Sequence, residues 1–259
     1  MTLSITDYSK RYGGLVAVDK VSLTAPAGAV TALIGPNGAG KTTLLNLISG
    51  VVIADSGSCK LLDQVVTGRT PHQLAHLGLT RTYQSPQLFD DMSVLETVMV
   101  GAHLRGGAGF VSSMLRIGRT RREEARLEEQ ALLAIDRVGL PAALLGRPAV
   151  DLAYGLQRRV EIARALAMQP RVLLLDEPAA GLNHQETQEL AGLIDSLARG
   201  GLTVLLVEHD MDMVMGISRH VVVMNFGRKI AEGTPAEVQR NQSVIDAYLG
   251  AQAEEGADA

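Results

Sequence analysis

The sequence predicts an α/β fold with a mostly parallel, doubly wound core, an N-terminal antiparallel β subdomain and an inserted helical subdomain. Three observations carry that prediction. Two early runs, LSITDYSKRY and VSLTAPAG, alternate apolar with polar residues. Four later runs are almost continuously apolar: VTALI at 30–34, VLLL at 172–175, TVLLV at 203–207 and HVVVM at 220–224. From about Leu88 to Leu152 the strand signal fades and helical spacing replaces it.

The alternation of Leu3 and Ile5, then of Val21, Leu23 and Ala25, marks strands wetted on one face. The continuous runs suit parallel strands covered on both faces, and helical patterns lie between most of them. In TRREEARLEEQALLAIDRVG, residues Leu127, Ala131, Ala134, Ile135 and Val138 share one helical face. Gly139 and Pro141 end that helix. The helical subdomain is placed at about 88–165. Later, NFGRKIAEG reads as a hairpin. In TPAEV, Thr234 is an N-cap, Pro235 the first helical residue and Glu237 the closing half of a capping box. Residues 1–250 form one domain, and AQAEEGADA at 251–259 a flexible tail. There is no internal repeat.

A chain of 259 residues with 46% hydrophobic and 20% charged residues supports a sizeable core. Its net charge of −4 argues against a nucleic-acid partner. A single cysteine, Cys59, forms no disulfide framework and fits a reducing compartment. No apolar stretch approaches the roughly 18 residues that span a bilayer. MTLSITDYSKRY lacks the basic and apolar regions of a secretory signal. A role at a membrane would be that of a peripheral subunit.

GPNGAGKT, from Gly35 through Pro36, Asn37, Gly38, Ala39, Gly40 and Lys41 to Thr42, matches the phosphate-loop pattern. It lies between a buried strand and the apolar helix opened by Thr42 and Thr43. Glycines let backbone N–H groups curl around a phosphate, and the helix dipole adds attraction. Lys41 is set to reach the β- and γ-phosphates of ATP, and the Thr42 hydroxyl to ligate Mg²⁺. VLLLDEP supplies two adjacent acids at a strand end. Asp176 there suits a metal contact, and Glu177 the orientation or deprotonation of an attacking water. Two solvated loop acids are the alternative, which the phosphate loop makes the lesser one.

Taken together, these features resemble the nucleotide-binding subunit of an ATP-binding cassette (ABC) ATPase. The resemblance implies a P-loop NTPase with a RecA-like core. It makes Tyr12 the aromatic that stacks on adenine and Gln84, in RTYQSPQLF, the glutamine that senses Mg²⁺ and water. AAGLN at 179–183 becomes the D-loop, and His209, in VEHD, the switch histidine at the γ-phosphate. It also explains LAYGLQRRVEIARAL, a glycine at a helix start followed by an amphipathic run. In this family that helix meets the γ-phosphate held by the partner subunit, in a head-to-tail dimer. Ala153, Tyr154 and Gly155 stand at the contact, and Leu156, Val160, Ala163 and Ala167 anchor the helix.

The family's general pattern is LSGGQ; this chain has LAYGL. Ala153 lacks the hydroxyl a serine would offer, a loss of about 1.5–3 kcal/mol for a bond to a charged group. LAYG itself resembles the variant in branched-chain amino acid importers. The departure predicts a non-identical partner ATPase and unequal composite sites.

LTRTYQSPQLFDDMSVLETVMVG, PAAGLNHQET, EHDMDMVMGIS and NFGRKIAEGTPAEVQRN resemble the larger ATPase subunit of branched-chain amino acid importers. So does the insert after Val100. That resemblance implies two transmembrane permease subunits, an external solute-binding protein and a place on the cytoplasmic face of the inner membrane. Urea or short amides, lipopolysaccharide extraction and a soluble, non-transport ABC ATPase are the alternatives. Leu88 and Phe89 are candidates for a groove holding a permease helix, or else ordinary core. GFVSSMLRIGRTRR reads as a solvated linker with one buried face, or as a segment lying on lipid headgroups or the permease.

Overall fold

The structure, a computed structural model, describes residues 2–85, 87–103 and 117–255. The alternating N-terminal runs form β1 (Leu3–Tyr12) and β2 (Leu15–Ala25), paired antiparallel from Leu3↔Ala25 to Tyr12↔Leu15. Asp7 at φ 51° and Lys20 at φ 49° sit at irregularities in this pairing. The shift of phase there brings Tyr8 and Val21 back to the buried face. Next comes β3 (Val30–Ile34), every residue of which is buried, and α1 (Lys41–Ile48) follows the phosphate loop.

β4 (Ser56–Leu61) and β5 (Gln64–Val65) extend the first sheet to the order β2-β1-β4-β5. SGSCKL gave little strand signal, because only Cys59 and Leu61 are buried in it. The short helix α2 (Pro71–His76) is opened by a capping box between Thr70 and Gln73, and β6 (Leu79–Arg81) follows.

Three helices come next: α3 (Val94–His103), α4 (Ile117–Arg137) and α5 (Tyr154–Ala167). The strand signal then returns with β7 (Val172–Asp176), α6 (His184–Arg199), β8 (Thr203–Val207), α7 (Met211–Ile217) and β9 (His220–Asn225). β10 (Arg228–Gly233) forms the expected hairpin with β9, and α8 (Pro235–Gln239) carries the expected capping box at Thr234 and Glu237. α9 (Gln242–Glu255) runs into the stretch read as a tail; 256–259 lie outside the described residues.

The second sheet has the order β10-β9-β3-β8-β7-β6, parallel except for β10. Its central strands β3, β8 and β7 are buried at every residue, which is why they read as unbroken apolar runs.

The chain divides into two compact units. One comprises Met1–Arg81 with Arg171–Ala259 and holds both sheets. The other is Thr82–Pro170, against the limits of about 88–165 read from sequence. Within it α4 buries Leu127, Ala131, Ala134, Ile135 and Val138, the face its spacing predicted. In α5, Val160, Ala163 and Ala167 are buried as expected, joined by Ile162 and Leu166, while Leu156 is half-buried. The insert segment 109–116 lies outside the described residues, as do the side chains of 117–122.

Candidate nucleotide site

The phosphate loop leaves β3 at Gly35 and enters α1 at Gly40, and both glycines are required by their surroundings. A Cβ on Gly35 would lie 2.1 Å from the Met224 carbonyl oxygen, and one on Gly40 would lie 2.4 Å from that of Ala17. Gly40 is also the N-cap of α1, at φ 97°. Around this turn Asn37, Gly38 and Thr42 are exposed, while Ala39 and Lys41 are buried. Lys41 Nζ donates to the carbonyls of Gly35 at 2.7 Å and Pro36 at 2.9 Å. Burial holds its ammonium below the usual lysine range, with the Glu177 and Asp176 carboxylates acting in the opposite direction.

One cavity of about 410 Å³ is lined by Tyr12, Leu15, Val16, Ala17, Asn37, Gly38, Ala39, Gly40, Lys41, Thr42, Thr43, Glu177, His209, Phe226 and Gly227. Most of the residues read from sequence therefore meet there. Glu177 leaves β7 at φ 48°, a left-handed conformation costing a bulky residue about 1–3 kcal/mol. Its N–H donates to the Val207 carbonyl at 2.9 Å, and Oε1 lies 2.8 Å from His209 Nε2. A proton on that nitrogen makes the contact a hydrogen bond to the carboxylate.

Asp176 has a different setting. It is buried, and its Oδ2 takes a 2.7 Å salt bridge from Arg81, whose other nitrogen donates to Asn46 Oδ1 at 2.7 Å and Ser49 Oγ at 3.1 Å. The guanidinium thus ties the end of β7 to α1. Next to His209 in sequence, Glu208 is buried and accepts from Ala179 N at 2.6 Å and His209 N at 3.0 Å. Burial pushes its carboxyl up, opposed by the backbone N–H groups of Ala179, His209 and Asp210. One carboxylate therefore fixes the AAGLN loop and the histidine loop together.

Four predicted residues fall in the other unit. Gln84 is exposed there, and its carbonyl and that of Tyr83 accept from the Arg158 guanidinium, the latter at 2.9 Å. Ala153 is the N-cap of α5, with no side-chain capping bond, and Tyr154 and Gly155 begin the helix. N–H groups at these first positions have no intrahelical acceptor. Gln157 Nε2 reaches back to the carbonyls of Val150 at 2.8 Å and Leu152 at 2.9 Å, which holds the approach to the helix. The Tyr154 hydroxyl accepts from Arg158 at 3.2 Å.

Arg158 belongs to the basic run but is almost fully buried, paired with Glu161 at 3.1 Å. Glu161 in turn accepts from Tyr83 N at 3.3 Å, and burial pushes its carboxyl up. Sequence reasoning missed Arg81, Arg158, Glu161, Glu208 and Phe226. For the four charged residues the available signal was a charge set within or beside an apolar stretch. Phe89 is exposed and Leu88 half-buried, so Phe89 is not core.

No three His, Cys, Asp or Glu side chains come together as a metal cage among the described residues. The exposed Thr42 hydroxyl beside Lys41 in the cavity is an oxygen of the kind Mg²⁺ takes together with water and phosphate oxygens.

Residues 18–180 match the ABC transporter family. The chain belongs to that family. The last part, residues 228–254, matches a second family described as branched-chain amino acid ATP-binding cassette transporter. The cassette is 43% identical to the high-affinity branched-chain amino acid transport ATP-binding protein LivG of Escherichia coli K12, over 96% of this chain and 97% of that one. It is 42% identical to BraF of Pseudomonas aeruginosa, with the same coverage. Among solved structures, the ADP conformation of an ATP-binding cassette of an ABC transporter superposes with a TM-score of 0.84 at 33% identity, covering 96% of this chain and 98% of that one. A nucleotide-free cassette gives 0.83 at the same identity, covering 95% and 98%. No helix among the described residues is long and apolar enough to cross a membrane.

Proposed function

We propose that this cassette is the Mg²⁺-dependent, ATP-hydrolysing subunit of an importer for branched-chain amino acids. The observation that carries the reading is the single cavity joining the phosphate loop, Lys41 and Thr42 to the Glu177–His209 pair. The match of residues 228–254 and the names of the relatives support the substrate class.

Backbone N–H groups between Gly35 and Thr42 bind the phosphates, and Lys41 exchanges its carbonyl contacts for phosphate oxygens. Thr42, Asp176 and Gln84 are the residues that would hold Mg²⁺. Bound there, the ion would neutralise charge on the transferring phosphate. Glu177 orients the attacking water and takes its proton, while His209 holds the carboxylate in place and faces the γ-phosphate. Tyr12 stacks on the base. Ala153, Tyr154 and Gly155 offer N–H groups and the positive end of α5 to the ATP of a second, non-identical ATPase subunit. Two permease subunits convert closure into transport, because they bind the closed and open pairs with different affinity. The complex sits at the cytoplasmic face of the inner membrane and receives its amino acid from an external solute-binding protein.

Tagging the chain and solubilising native membranes in mild detergent tests this. Two polytopic permeases and a second ATPase should co-purify. A soluble homodimer without membrane partners would overturn the importer reading.

A further inference from the structure

Phe226 breaks a local rule without any packing gain. It occupies the first position of the two-residue turn between β9 and β10, where Asn225 pairs with Arg228. Phe226 has φ 45° and Gly227 φ 77°, the pair of positive values that a type I′ turn requires and that Asn-Gly supplies without strain. A bulky aromatic in that conformation is an outlier. Burial does not repay it, since the side chain is 77% exposed. Strain retained without compensation points to function.

The turn is held in place. Gly227 N donates to the Ala39 carbonyl at 3.0 Å, and Asp19 N donates to the Gly227 carbonyl at 2.8 Å. The first bond fastens the hairpin tip to the phosphate loop itself. Phe226 lines the nucleotide cavity, whose composition is divided. Lys41, Thr42, Glu177 and His209 supply its charged and hydroxyl groups; Tyr12, Leu15, Val16 and Phe226 supply its apolar surface. A ligand with an ionic part and a flat apolar part fits both.

We infer that Phe226 is a base-contacting residue, presenting its ring to the adenine of the nucleotide bound at this chain's own phosphate loop, alongside Tyr12. This rests on the proposed ATP site. The strained turn is then the means by which an aromatic ring is kept exposed and aimed while the neighbouring Gly227 stays bound to Ala39.

The test is calorimetric titration of the full-length chain, with Mg²⁺ present, using ATP and inorganic tripolyphosphate as probes. The variants are Phe226→Asn, Phe226→Ala and Phe226→Tyr. One aromatic contact to a base corresponds to about tenfold in affinity. Phe226→Asn and Phe226→Ala should weaken ATP by about that factor and leave tripolyphosphate unchanged, while Phe226→Tyr retains wild-type ATP affinity. Phe226→Asn should also unfold at the same or a higher temperature than wild type. Unchanged ATP affinity in Phe226→Asn and Phe226→Ala would overturn the inference. So would equal weakening of ATP and tripolyphosphate, which would show an effect on the phosphate loop alone. A wild-type chain that binds tripolyphosphate but gains nothing from the base also contradicts it. Failure of the wild-type chain to bind either probe would instead overturn the ATP site on which it rests.

Discussion

Two helix starts in this chain are proposed to meet phosphate, and they are built differently. At α1 the turn is glycine-shaped, Lys41 is buried against the loop carbonyls, and Glu177 and His209 line the same cavity. At α5 the cap is Ala153, no side chain caps the helix, and its first long cation, Arg158, is buried in an internal ion pair. The α1 end carries the charges needed to bind a nucleotide and act on it. The α5 end offers backbone N–H groups and a dipole, enough to complete a site whose charge is already neutralised elsewhere. In the proposed function, that difference separates a site that works on a phosphate from a surface that recognises one held by another subunit.

The largest effect that would sharpen this contrast is on turnover. Glu177→Gln should lower the rate of phosphate release by about 10²–10⁴-fold while ATP binding persists, as expected when a general base is removed. Loss of binding with it would place Glu177 in recognition instead of chemistry. Arg158→Ala should leave Glu161 buried without its partner, at a cost of about 3–5 kcal/mol seen in chemical denaturation. An unchanged midpoint would mean that the guanidinium is dispensable to this unit. Lys41→Ala should weaken ATP binding by about 10–100-fold, the worth of a charge-assisted bond of about 1.5–3 kcal/mol.

Ala153→Ser restores a hydroxyl at the α5 cap. It should tighten ATP-dependent pairing with the second ATPase by about 10–100-fold and leave ATP binding to the isolated chain unaltered. A change in the isolated chain would erase the distinction between the two helix starts. The smallest expected effect concerns Glu208, whose carboxyl titrates above its ordinary value of 4.5 in the folded chain. A raised acid stabilises most fully below 4.5 and loses that contribution as pH rises through its folded value. Relative to Glu208→Gln, wild type should therefore lose stability as pH rises above 4.5, read by urea unfolding at each pH. A wild-type advantage that grows with pH would contradict this.

What the sequence made legible follows from periodicity and from compact motifs. VTALI, VLLL and TVLLV announce central strands because burial on both faces removes every polar residue from them. GPNGAGKT is legible because Gly35 and Gly40 answer to backbone contacts that no side chain would survive. Strands β4 and β5 were not, since only part of one face is buried and the segments are short. The supporting charges were hidden for another reason. Arg81 meets Asp176, and Glu208 meets Ala179, across long sequence separations that no local pattern encodes. Phe226 was overlooked because its signal is a backbone angle.

The most direct measurement of the central claim uses the purified transporter complex carrying Gly155→Asp in this chain. Aspartate suits the first turn of a helix but repels a phosphate placed there. Labelling with photoreactive azido-ATP, read subunit by subunit, should show this chain labelled as in wild type and its ATPase partner losing retained nucleotide. Loss of label on this chain, with the partner unaffected, would contradict the assignment of α5 to another subunit's phosphate.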